Sequence, residues 1–191
     1  MRIITFDIET ANWMDETGSG DPADLAIAVV GIHDSASDTY SCFLENELSE
    51  LWKILERTDV LVGYNSNHFD IPLLNKYYPG DLTRIRSLDL MQEVYRSLGR
   101  RLKLDSLAEA TLGERKSADG HQSLKWWRAG EVEKVKEYCK KDVELTKRLF
   151  DHALKHSALK YRDLGTLREI KLNTTAWLTA SARPMTFTLG L

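Results

Sequence analysis

The sequence predicts an α/β domain built on a mixed central β-sheet of about five strands, flanked by α-helices. Three observations predict it. Three strand-like segments follow one another early in the chain, joined by polar turns and no helix, which suits an antiparallel meander. From residue 47 onward, helical periodicities alternate with short apolar strands, the pattern of parallel crossovers. The first strand ends in paired carboxylates and the fourth in turn-forming Asn65. Open α/β sheets place their ligands at such carboxyl ends. A chain of 191 residues suits one domain with a small appendage, here residues 1–154 and an extension over 155–191.

Residues 3–10, Ile-Ile-Thr-Phe-Asp-Ile-Glu-Thr, alternate apolar and polar, so Ile4, Phe6 and Ile8 share one face of a strand and Asp7 and Glu9 the other. A polar loop over 11–23 leads to strands at 25–32 and 39–44. Residues 47–57 place Leu48, Leu51, Trp52, Ile54 and Leu55 at helical spacing. The short apolar run 60–63 is a buried strand, and a helix follows from His68 or Phe69 to Tyr78, stopped by Pro79-Gly80. A strand at 85–88, a helix at 89–98 and a helix at 104–112 come next. Residues 114–123 read as a loop, 125–128 as a short helix or turn, and 131–154 as the longest helix. Beyond it, Ile170, Leu172 and Thr174 alternate only weakly, and the glycine-containing tail is expected to fray or to pack against a partner.

Composition describes an ordinary globular protein, 42% hydrophobic and 29% charged, with no apolar run long enough to span a membrane. The N-terminus enters a strand carrying an acid at position 7, unlike a signal peptide, and Cys42 and Cys139 read as reduced thiols. A cytoplasmic protein with no membrane partner is therefore expected. Charge is uneven: residues 1–83 hold 4 Lys and Arg against 15 Asp and Glu, and residues 84–191 hold 22 against 14. An acidic cleft beside a basic half is compatible with a nucleic-acid binder of net charge −3.

Asp7 and Glu9 lie about 6.6 Å apart along one strand face. Carboxylates that close repel each other, and a hard divalent cation such as Mg²⁺ or Mn²⁺ relieves the conflict. Asp70 opens a helix, where an acid is also favoured by the helix dipole alone. Tyr138 and Asp142 are four residues apart on a helix, so they share a face with Leu145 and Leu149. A carboxylate on that packing face needs a partner, and a metal shared with Asp7 and Glu9 would serve. Arg96, Arg100, Arg101 and Lys103, with Arg115 and Lys116, are either phosphate contacts or a solvated helix edge, and Trp126 and Trp127 either stack on bases or pack. Asp89 reads as a helix-start charge.

Phe6-Asp7-Ile8-Glu9-Thr10 resembles the first motif of the DEDD exonucleases, Asn65-Ser66-Asn67-His68-Phe69-Asp70 the second, and Tyr138-Cys139-Lys140-Lys141-Asp142 the third. The tyrosine four residues before the last acid resembles the DEDDy branch, the proofreading type of family B DNA polymerases, and most of all its small standalone members. The histidine branch would carry His where Glu137 stands. This resemblance, over residues 1–152, implies a ribonuclease H-like fold with strand order 3-2-1-4-5, strand 2 antiparallel. It also implies a 3′→5′ exonuclease that hydrolyses DNA, single-stranded ends preferred, with two divalent metal ions, releasing nucleoside 5′-monophosphates. In that reading Asp7, Glu9, Asp70 and Asp142 would hold the metals and Tyr138 would orient the attacking water. Thr10 and Asn65 would meet the terminal nucleotide. A ribonuclease of the same fold and a non-catalytic nucleic-acid-binding module are the alternatives.

Overall fold

A computed structural model describes residues 1–114 and 120–179. The strands of the main sheet are β1 (Ile3–Thr10), β2 (Ile27–Asp34), β3 (Thr39–Leu44), β4 (Val60–Gly63) and β5 (Arg86–Asp89), in the order β3-β2-β1-β4-β5. β2 runs antiparallel to β1 and β3, and β4 is parallel to β1 and β5. The sheet is the ribonuclease H-like one the resemblance implied.

Seven helices accompany it among the described residues: α1 (Met14–Thr17), α2 (Leu48–Leu55), α3 (Asp70–Tyr77), α4 (Leu90–Leu98), α5 (Leu104–Leu112), α6 (Gly120–Arg128) and α7 (Val132–His156). Strand alternation sends Ile4, Phe6 and Ile8 of β1 into one core, with Leu51 and Leu55 of α2 and Leu73 and Leu74 of α3. The opposite face carries α7. That helix lies close because β2 has Gly31 directly beside Asp7: a Cβ at Gly31 would stand 2.8 Å from the Cys139 sulfur and 3.2 Å from Val143. A second core joins Val60 and Val62 of β4 to α4, α5 and α7, through Val94, Leu107, Leu149 and Phe150.

The chain after α7 departs most from expectation. It forms a hairpin of β6 (Ala158–Asp163) and β7 (Thr166–Lys171), a separate two-stranded sheet. Leu159, Tyr161, Ile170 and Trp177 from this extension complete the second core. The turn places Leu164 and Gly165 at φ 48° and 83°, a left-handed pair usually filled by Asn, Asp or Gly. α6 begins at Gly120, inside the segment expected to be loop, and α1 interrupts the loop after β1. α1 lacks a strong N-terminal signature, since it starts after Trp13, which offers no capping oxygen.

Candidate active site

β1 supplies Asp7 and Glu9 from the face opposite its core-facing isoleucines, and α7 brings Asp142 over them. One carboxylate oxygen from each of Asp7, Glu9 and Asp142 lies within 4.8 Å of the other two. Glu9 and Asp142 are buried, and Asp7 is half-buried. A bulge sits beside them: Glu9 pairs with Val29 but Thr10 with Ile27, leaving Ala28 as an extra residue in β2. Nothing in the unbroken apolar run 27–30 announces that bulge.

Asp70 enters from the side of β4, as the first residue of α3, and is 5% exposed. Burial first, and then the charges of Asp7 and Asp89, push its carboxyl well above the ordinary range, against a smaller pull toward the anion from the backbone amides of Asp70 itself and of Ile8. Tyr138, one helical turn before Asp142, donates its phenol proton to the Asp142 carboxylate. Burial first, then the charges of Asp142, Glu9 and Asp7, raise this phenol far above its usual value, so it stays protonated. Its ring meets that of Trp126 edge-on at 6.4 Å.

This donor set fits hard divalent cations. The oxygens are all carboxylate, they converge from a strand and a helix, and their mutual repulsion is what a cation relieves. The thiol of Cys139 lies 3.4 Å from the Asp7 carbonyl and 3.8 Å from its Oδ2, and burial holds it protonated. Asp7, Glu9 and Asp142 are the residues that could hold an ion together, with Asp70 flanking Asp7.

The loop between β4 and α3 is shaped by three constraints. Gly63 must be glycine, since a Cβ there would fall 2.4 Å from Ser66. Asn65 holds φ 63°, and its carbonyl accepts from His68 N and Phe69 N at 3.2 and 3.1 Å. Asp89, at the end of β5, clips the loop down: its Oδ1 accepts from Asn65 N at 2.8 Å and its Oδ2 from Asn67 N at 3.1 Å. The same side chain caps α4 through Met91 N and Gln92 N. Asp89 is thus the helix-start charge the sequence indicates and also the anchor of the second motif, which sequence reading missed. Both oxygens of one aspartate reaching a loop 22 residues away leave no local signature.

Thr10 stands at the end of β1, its hydroxyl donating to the Asn12 carbonyl at 3.0 Å. Trp126 and Trp127 pack with Ala28, Val29, Val135 and Cys139 rather than standing free. Arg96 pairs with Glu93 along α4, and Arg100 binds Asp163 at 2.9 Å while covering the Tyr161 ring, which ties the end of α4 to the hairpin. Arg115 and Lys116 lie outside the described residues.

The fold and this acidic centre define a class. The family model for the RNase H superfamily matches residues 4–154, and the chain belongs to that superfamily. Among solved structures, a family B DNA polymerase from the hyperthermophilic archaeon Pyrobaculum calidifontis superposes on 81% of this chain with a TM-score of 0.61 and 22% sequence identity. The chain spans 24% of that polymerase's length, and the likeness is one of fold. No curated protein matches the chain. No helix among the described residues is long and apolar enough to cross a membrane.

Proposed function

We propose that the chain is a metal-dependent 3′→5′ exonuclease of the DEDDy type, acting on DNA with a preference for single-stranded ends and releasing nucleoside 5′-monophosphates. The observation that carries this reading is the convergence of Asp7, Glu9 and Asp142 within 4.8 Å, with the Tyr138 phenol on Asp142. Two divalent ions, Mg²⁺ or Mn²⁺, would supply charge stabilisation of an in-line displacement at phosphorus and a nucleophilic water at neutral pH. Asp7, Glu9 and Asp142 would hold the first ion, and Asp7 with Asp70 the second. Tyr138 keeps its proton, so it orients a water through a hydrogen bond rather than removing a proton from it. Thr10 and Asn65 stand at the two strand ends that border the acids, where a terminal nucleotide would lie. In this reading residues 1–154 form the exonuclease domain and 155–191 a C-terminal extension, whose hairpin buttresses α5 and α7.

The test is cleavage of 5′-labelled DNA and RNA oligonucleotides with Mn²⁺, with and without chelator. A DNA ladder shortening from the 3′ end, abolished by chelator, is the expected result. Cleavage of RNA alone would make the protein a ribonuclease, and binding without cleavage of either would leave a nucleic-acid-binding module.

A further inference from the structure

Strand pairing sets Asp7, Gly31 and Cys42 side by side across β1, β2 and β3. Residues paired in this way share one face of a sheet, here the face that α7 covers. Gly31 has no side chain, which leaves a gap in the row between the aspartate and the cysteine. The sulfur of Cys139, a fully buried residue, drops into that gap, only 2.8 Å from where a Cβ at Gly31 would stand. From there Sγ lies 3.4 Å from the Asp7 carbonyl and 3.8 Å from Asp7 Oδ2, so the thiol reaches both the backbone and the carboxylate of one acid. Cys42, across the gap, turns its own thiol to the Lys136 carbonyl at 3.5 Å.

The place of Cys139 on the helix gives this contact its meaning. It stands three residues before Asp142, a spacing at which helical side chains are neighbours. The thiol therefore ties the helix that carries Asp142 to the strand residue that Asp142 must meet. A carboxylate that holds a cation needs its orientation fixed by a neighbouring donor, and losing such a partner typically costs about 10–100-fold in metal affinity. A thiol is a weak donor, so its share is smaller. Any side chain at Gly31 would push the sulfur off Asp7, with Val143 also standing 3.2 Å from the new Cβ.

We infer that Cys139 is a positioning residue of the acidic centre: seated in the gap at Gly31, its thiol holds Asp7 in the orientation that meets Glu9 and Asp142. The inference rests on the proposed metal centre, and its test reads metal binding rather than cleavage. The full chain is titrated with Mn²⁺, and the free ion is counted from its electron paramagnetic resonance signal. Cys139→Ala should weaken Mn²⁺ binding about fivefold. Cys139→Ser, a stronger donor on a shorter bond, should recover part of that loss. Gly31→Ala should weaken binding at least as much as Cys139→Ala, because it displaces the sulfur. The two alanine changes together should match Cys139→Ala within about twofold, since both act through one atom. Cys42→Ala, in the same row but directed away from Asp7, should bind as the wild type does. Thermal midpoints without metal fix a temperature at which every variant is folded.

Unchanged affinity in Cys139→Ala overturns the role. So does a serine variant no better than alanine, a double variant whose loss is the product of the two single losses, or an equal loss from Cys42→Ala. A wild-type chain that binds no Mn²⁺ removes the metal centre itself, and the positioning role falls with it.

Discussion

The two walls of the acidic cleft are built in opposite ways. The wall of β1 and α7 places Asp7, Glu9, Tyr138 and Asp142 on regular elements, so strand alternation and the helical repeat alone aim them. Their relative height is set by Gly31, which seats Cys139 against Asp7. The wall of β4 and α3 places Asp70 at the end of a six-residue loop with a left-handed asparagine, a glycine that admits no side chain and an aspartate clip from β5. The first wall is held by packing distributed over many residues. The second depends on a few directed hydrogen bonds, so its geometry is the easier one to disturb and to tune.

Four substitutions test that contrast, from the largest effect down. Asp142→Asn removes an acid from the rigid wall and should lower cleavage by at least about a thousandfold, read from initial rates with Mn²⁺. Tyr138→Phe should slow cleavage by about a hundredfold while leaving the rise in thermal midpoint on adding Mn²⁺ intact. Loss of that rise would mean the phenol shapes the metal centre instead of orienting water. Asp89→Ala should release the loop wall, lowering kcat about tenfold and stability by about 2–3 kcal/mol, since several buried N–H groups lose their acceptor. Unchanged kcat in the destabilised variant would show that the clip serves folding only.

Asp70→Asn gives the smallest and most directional effect, in stability without metal. A carboxyl whose pKa is raised in the folded state favours folding fully only while protonated, below its unfolded value near about 4. That contribution is lost as pH rises through the raised folded value. In chelator at neutral pH the wild type should therefore melt below Asp70→Asn, and the gap should close on acidification. Adding Mn²⁺ should reverse the order.

Much of this was legible in the sequence because it rests on short-range rules. α5 spans 104–112 as its periodicity requires, and β1 is central because its apolar face and its acidic face both need covering. Asp7, Glu9 and Asp142 were legible for a similar reason, as carboxylates whose positions demand a partner, whereas Asp70 and Tyr138 stood out through their resemblance to the second and third motifs. What was hidden depends on long-range or exceptional geometry. The β6–β7 hairpin escapes notice because its turn uses Leu164 and because β7 buries only Ile170 of its six residues. The bulge at Ala28 lies in a run that is buried throughout, and the Asp89 clip joins segments distant in sequence.

The last of the described elements changes how the boundary of the domain should be drawn. The family match closes at residue 154, near the end of α7, yet Phe150 of that helix stacks on Trp177 with ring planes 8° apart and centroids 5.9 Å apart. Leu159 and Ile170 are sealed into the same interior. A chain cut after Leu154 would keep every acid of the cleft and still present Leu149, Phe150 and Ala153 to water. Expressing residues 1–154 alone should therefore yield a sticky, poorly folding fragment, and the hairpin must travel with them.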